Sequence, residues 1–188
     1  MSNQRWKARW KADDIGFHQP RIHDNLPRFW PSLALPTGSA VLVPLCGKSH
    51  DLAWLQEQEH RVIGVELSHI AIEAFFAERA LTPQRQRRGR FTRWSHGSIE
   101  IWCGDLFDLK ASELGEIAAI YDCTSLTALP EQSRPSYVRH LSSLLEHDSQ
   151  ILLLTTESSD QSLPDSAQTP DGEVLSLYQS RFCIELLH

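Results

Sequence analysis

Apolar and polar positions along this chain alternate between two periods, one suited to strands and one to helices. Val41-Leu42-Val43 and Val62-Ile63-Gly64-Val65 are short continuous apolar runs, the pattern of strands buried on both faces. Between them, Asp51 to Gln58 carries Leu52, Trp54 and Leu55 at helical spacing. After the second run, Ser68 is placed to cap a helix from Ile70 to Arg79, with Ile70, Ala74 and Phe75 turned inward. Phe91 to Ser95 and Ile99 to Cys103 flank His96-Gly97-Ser98, which predicts a hairpin. Ile117 to Tyr121 and Ile151 to Thr155 read as further buried strands, with Glu131 to Leu145 helical between them. Upstream, Trp6 and Trp10 stand at i, i+4 spacing, and His23 to Leu35 forms a helical stretch broken at Pro31 and Pro36. Near the end, Phe182 to Leu187 is strand-like. This β-α alternation predicts an α/β fold, a doubly wound and mostly parallel sheet with helices on both faces.

The turn between the first strand and its helix narrows the chemistry. Pro44 ends the strand and Gly47 permits a tight turn with close backbone approach. Glu66 stands at the tip of the next strand, about 20 residues after the turn, where nucleotide-binding sheets hold ribose hydroxyls. With one glycine in PLCGKSHD, the turn lacks both the G-x-G-x-x-G of a pyrophosphate cradle and the spacing of a P-loop. A cofactor with a ribose and no phosphates suits it better, and S-adenosylmethionine is the common one.

Composition sets few further bounds. The 188 residues suffice for one domain, and a hydrophobic content of 41% with 22% charged residues is ordinary for a globular protein. A net charge of -6 argues against nucleic acid as a partner. The basic run Arg85 to Arg93 reads as a solvated loop or a charged edge strand, with contact to an anionic substrate as the other reading. Cys46, Cys103, Cys123 and Cys183 show no C-x-x-C spacing, and the histidines no H-x-x-x-H, so no metal site is expected. Free thiols, no membrane-spanning run and a polar N-terminus together predict a cytoplasmic protein.

PLCGKSHDLAWL, then GVELS and AIEAFFAE, closely resemble the thiopurine S-methyltransferase family. So do WKARWKADDIGFH upstream, and EIWCGDLFDL and YDCTSLTALP downstream. The resemblance implies a Rossmann-like sheet of the class I methyltransferase type in one domain over residues 1–188. Residues 1–35 would form an N-terminal helical lid and 39–188 the sheet core, with a shortened C-terminus. It further implies that Trp10 and Trp6 cover S-adenosylmethionine, although their spacing alone equally suits indoles packed on a core. Phe17 and His18 would face the acceptor. Leu45, Gly47, Glu66 and Leu67 would hold the ribose and methionine portions, Asp105 would border the adenine, and Asp122 with Cys123 would stand near the reacting atoms. Cys46 reads as a small apolar residue of the turn. Lys48 is either solvent-facing or the partner of a carboxylate. The aromatic cluster of Trp6, Trp10, Phe17 and Trp30 could exclude water and stack on a flat acceptor.

Three departures from the family pattern concern the acceptor. Cys123 stands where the family has arginine after the aspartate, and a thiol cannot replace a guanidinium as an anion anchor. The stretch ESSDQSLPDSAQTPDGEV contains neither the tyrosine nor the glycine-proline-proline-phenylalanine of the family's acceptor pocket. The sequence ends at His188, a hairpin's length before the family does, which would expose a sheet edge; a homodimer through that edge and an incomplete chain are the two readings. The expected activity is methyl transfer to a small thiol, selenol or related chalcogen. The alternatives are an altered acceptor, or cofactor binding without catalysis.

Overall fold

The computed structural model describes residues 3–155 and 171–187. Its centre is a seven-stranded sheet in the order β3-β4-β5-β2-β1-β6-β7. The strands are β1 (Ala40–Pro44), β2 (Arg61–Glu66), β3 (Gln84–Arg88), β4 (Phe91–His96), β5 (Ile99–Cys103), β6 (Ala119–Cys123) and β7 (Gln150–Leu154). β1 pairs in parallel with β2 and β6, β2 with β5, and β6 with β7. Only the β3-β4-β5 meander is antiparallel, which follows from the short His96-Gly97-Ser98 connection.

The helices are α1 (Asn3–Lys11), α2 (Asn25–Phe29), α3 (Asp51–Glu57), α4 (His69–Ala77), α5 (Ala111–Leu114), α6 (Ser125–Ala128), α7 (Arg134–Leu144) and α8 (Asp171–Tyr178). Because side chains alternate along a strand, β1 sends Val41 and Val43 to one face and Leu42 to the other. Val41 and Val43 join Leu52 and Leu55 of α3 and Ile72, Phe75 and Phe76 of α4. Leu42 joins Leu114 of α5, Tyr137, Val138 and Leu141 of α7, and Tyr178 of α8. Both faces are therefore covered, and the apolar runs of β1, β2 and β6 need no polar side.

β1 lies where the strand order turns: β2 follows on one side and β6 on the other. In open parallel sheets, ligands bind beyond the carboxyl ends of the strands at that point. The exposed β3 carries QRQRR at one edge of the sheet, so the basic run is a charged edge strand.

Three expectations change. The inward positions of α4 are Ala71, Ile72, Phe75 and Phe76, while Ile70 and Ala74 are half-buried. Four adjacent apolar residues fit two helical phases, and the helix starts one residue earlier than its pattern suggested. Phe182 to Leu187 forms no strand among the described residues: Phe182 packs on the α7 side of the sheet and Leu187 on the α3 side. Trp30 leaves the expected aromatic cluster for the core, where its indole N–H donates to Nε2 of His60 at 3.0 Å. Most of the departing stretch after Glu157 lies outside the described residues, and Asp171 onward is α8.

Candidate active site

Beyond the carboxyl ends of β1, β2, β5 and β6, four loops and the N-terminal segment enclose a cleft of about 920 Å³ of empty space, partly open to solvent.

The β1 turn forms its floor. Leu45 and Gly47 both have positive φ, at 48° and 54°. A Cβ at Gly47 would come 3.3 Å from Cζ2 of Trp10, so glycine serves both the backbone conformation and the closeness of the indole. Cys46 points away into the core, above Gly64, where a Cβ would meet its sulfur at 2.8 Å. Burial raises its thiol well above the ordinary value, which agrees with a packing role.

Glu66 closes the cleft at the tip of β2 and is 6% exposed. Its Oε2 accepts the backbone N–H of Gly47 at 2.9 Å and its Oε1 that of Ser68 at 2.7 Å. Burial raises its pKa, and the N–H groups of Ser68, Gly47 and Leu67 oppose that rise. Each carboxylate oxygen has a further lone pair for a hydroxyl donor. Ser68 serves this carboxylate through its N–H, and its hydroxyl makes no capping bond to α4. Across the cleft, Oδ1 of Asp105 accepts the N–H of Phe107 at 3.0 Å, and Oδ2 accepts Nδ2 of Asn3 at 2.5 Å. The first described residue of α1 is thereby tied to the loop after β5.

The lid is aromatic. Trp6 and Trp10 each meet Phe17 edge-on, with ring centroids 5.2 and 5.5 Å apart. The Arg9 guanidinium lies 4.6 Å over the Phe17 ring and pairs with Asp14 at 2.8 Å. Trp6, Trp10 and Phe17 line the cleft together with Leu45, Gly47, Glu66, Leu67, Asp105 and Cys123. All nine are among the residues that the sequence and its family resemblance single out.

Two sequence candidates lie outside that wall. Asp122 is fully buried, accepting the N–H of Ser125 at 3.0 Å and the hydroxyl of Tyr137 at 2.7 Å. It holds the start of α6 from behind. His18 turns away from Phe17 and stacks on His50, with ring centroids 5.7 Å apart. Conversely, Asn3, Phe107, Thr124, Ser125 and Leu129 line the cleft unannounced. The location of Thr124 and Ser125 at the carboxyl end of β6 was the available signal. Ser125 also donates its hydroxyl to the Pro44 carbonyl at 2.8 Å, joining the β6 and β1 turns.

Among the described residues, the ionisable side chains in the wall are Glu66, Asp105 and Cys123, and none of the lining residues is a lysine, arginine or histidine. A pyrophosphate would find no counter-charge there, whereas a ribose and a cationic sulfonium meet a carboxylate and indole faces. Burial pushes the Cys123 thiol up to about 12, with the Tyr121 hydroxyl opposing and the charges of Asp51 and Asp122 adding to the rise. Cys123 is therefore a neutral thiol near pH 7. Among the described residues, no group of histidines, cysteines and acids is arranged to hold a metal ion.

Comparison with known proteins agrees with this geometry. The family model for thiopurine S-methyltransferase matches residues 1–188. The chain belongs to the thiopurine S-methyltransferase family. It is 46% identical over 187 residues to a thiopurine S-methyltransferase of Stutzerimonas stutzeri, covering 99% of this chain and 80% of that protein. It is 43% identical over 189 residues to one from Nitrosospira multiformis, covering 100% and 86%. Among solved structures, it resembles a Burkholderia thailandensis 1,6-didemethyltoxoflavin-N1-methyltransferase with bound 1,6-didemethyltoxoflavin and S-adenosylhomocysteine. The TM-score is 0.66 at 17% identity, covering 95% of this chain and 75% of that one. A TehB-like methyltransferase of Corynebacterium glutamicum gives 0.60 at 16% identity, covering 95% and 81%. The sheet is thus of the class I type, and the protein is an S-adenosylmethionine-dependent methyltransferase. None of the described helices is long and apolar enough to cross a membrane.

Proposed function

We propose that the chain transfers the methyl group of S-adenosylmethionine to a small thiol, selenol or related chalcogen acceptor. When bound, the cofactor supplies a methyl group already activated on a sulfonium. The observation that carries the reading is that, among the described residues, the cleft wall presents no general base. Glu66 is buried against two backbone N–H groups, Asp105 caps its own loop, and Cys123 is a neutral thiol. A wall of this kind suits an acceptor that reaches its anionic form near neutral pH, as thiols and selenols do, better than an alcohol.

In this reading Glu66 accepts both ribose hydroxyls, and the Leu45–Gly47 turn brings backbone against the cofactor's methionine portion. Asp105 and Leu67 border the nucleoside. Trp6, Trp10 and Phe17 exclude water and offer their faces to positive charge. Cys123 lines the acceptor end as a small, uncharged surface. Asp122 positions that surface through Ser125 and does not itself meet the reacting atoms. Catalysis then consists mainly of alignment and desolvation, and needs no metal and no catalytic triad.

The test is methyl transfer from S-adenosylmethionine to a panel of thiols, selenols, phenols and amines. Turnover confined to the chalcogens supports the reading. Faster methylation of an amine or phenol would move the acceptor class.

A further inference from the structure

Two walls of the cleft are held from behind by one helix. α7 reaches them through Tyr137 and His140, three residues apart and so neighbours on one helical face. The Tyr137 hydroxyl donates to Oδ2 of Asp122 at 2.7 Å, and Oδ1 of that carboxylate accepts the Ser125 N–H, behind the wall formed by Cys123, Thr124 and Ser125. On the β5 side, Nε2 of His140 lies 2.7 Å from the carbonyl of Leu106, a residue of the cleft wall. A carbonyl oxygen only accepts, so Nε2 carries the proton in either charge state of the ring. That carbonyl also accepts the N–H of Leu109 at 3.1 Å, which uses its second lone pair. The His140 ring lies against Phe107, with centroids 5.4 Å apart and planes at 44°. The turn Leu106–Asp108 is thus pinned in front by Asp105, which takes the Phe107 N–H, and behind by His140.

Neither Tyr137 nor His140 lines the cleft, yet each bonds to a group that sets a wall of it. His140 is half-buried, and an apolar side chain would serve packing at that place on α7. The imidazole adds a directed bond to the backbone of the wall. We propose that His140 is a positioning residue for methyl transfer, fixing the Leu106–Phe107 edge of the cleft against α7 so that it borders the cofactor's nucleoside. The assignment rests on reading the Asp105 side of the cleft as the nucleoside border. It gives α7 one anchor on each side, His140 for the cofactor and Tyr137 for the Cys123 wall. In-line transfer depends on how the two reactants are held relative to each other, and a shared helix fixes that relation.

The test is calorimetry of S-adenosylhomocysteine binding to the native chain and to His140→Phe, His140→Gln and Glu66→Ala. Phenylalanine keeps a ring against Phe107 and removes the donor, whereas glutamine keeps a donor and removes the ring. His140→Phe is expected to weaken binding about three- to tenfold, the range for one lost neutral hydrogen bond, and His140→Gln to restore most of it. Adenosine alone should show the same loss, since the effect lies at the nucleoside end. In turnover the change should fall on the KM for S-adenosylmethionine and leave the acceptor's KM as it was. Unchanged affinity in His140→Phe with lost affinity in Glu66→Ala overturns the positioning role and leaves the cofactor reading standing. Unchanged affinity in both overturns the nucleoside reading as well. Equal losses in the phenylalanine and glutamine variants mean a packing role, and also overturn the proposal. A second readout needs no variant: nitrogen NMR shifts of the His140 ring should report a proton on Nε2, and a ring protonated on Nδ1 alone would overturn it.

Discussion

Gly47 donates its backbone N–H to Oε2 of Glu66 at 2.9 Å, joining the β1 turn to the tip of β2 across a parallel strand pair. The carboxylate is fixed before any ligand arrives, so little ordering is left for binding. Glu66→Ala is expected to weaken S-adenosylhomocysteine binding by a few kcal/mol, from charge-assisted hydrogen bonds of roughly 1.5–3 each. Isothermal titration calorimetry measures it, and unchanged affinity would refute the ribose role.

The same carboxylate makes binding pH-dependent. Burial raises the Glu66 pKa from 4.5, and hydroxyl donors favour the ionised form. Cofactor affinity should therefore fall as pH drops through the free enzyme's Glu66 pKa, with proton release on binding in that window. For folding the sign is opposite: the native state holds this proton more tightly than the unfolded chain. Glu66's contribution to stability thus falls as pH rises from 4.5 through its folded pKa. Calorimetry in buffers of different ionisation enthalpy measures the proton release.

Gly47→Ala combines a φ of 54° with a Cβ 3.3 Å from the Trp10 ring. The backbone strain alone is worth about 1–3 kcal/mol. The substitution should lower stability by that order and also loosen the lid, seen as a red shift and faster quenching of Trp10 fluorescence. Loss of stability with unaltered fluorescence would separate the turn from the lid.

Much of this site was written locally. The PLCGKSHD turn and the acid after GV place Gly47 and Glu66 by spacing alone, because both lie at strand ends whose apolar runs are unambiguous. Trp10 followed from i, i+4 spacing and the family resemblance together. What stayed hidden depended on tertiary partners. Trp30 was read as cleft aromatic, but a buried His60, 30 residues away, accepts its N–H. His18 was read with Phe17, yet adjacent residues in an irregular segment point apart, and its stacking partner His50 stands just before α3, remote in sequence. Phe182 to Leu187 has strand composition, but its side chains pack on both sides of the sheet without extending it.

His60 is buried and its pKa is lowered, first by burial. The unfolded chain binds that proton more readily than the native state. Stability from this site is therefore complete above pH 6.5 and declines as pH falls below it toward the folded pKa. Urea unfolding between pH 5 and 8 measures the slope. Trp30→Phe should cost about 0.5–1.5 kcal/mol for the lost hydrogen bond, in addition to any change in packing.

The neutral state of Cys123 has a chemical readout. At pH 7.5, iodoacetamide should alkylate the exposed Cys183 and spare Cys123, whose thiol is pushed up to about 12. Peptide mass mapping after short exposure distinguishes them. Rapid labelling of Cys123 would mean a thiolate in the cleft and would reopen a nucleophilic role.

The most direct measurement is transfer of labelled methyl from S-adenosylmethionine to thiol and selenol acceptors, run alongside calorimetry with S-adenosylhomocysteine. The account requires both cofactor binding and label on the chalcogen atom, with Glu66→Ala losing binding. Tight binding with no methyl on any thiol or selenol would contradict it, and would leave a cofactor-binding cleft whose acceptor is of another class.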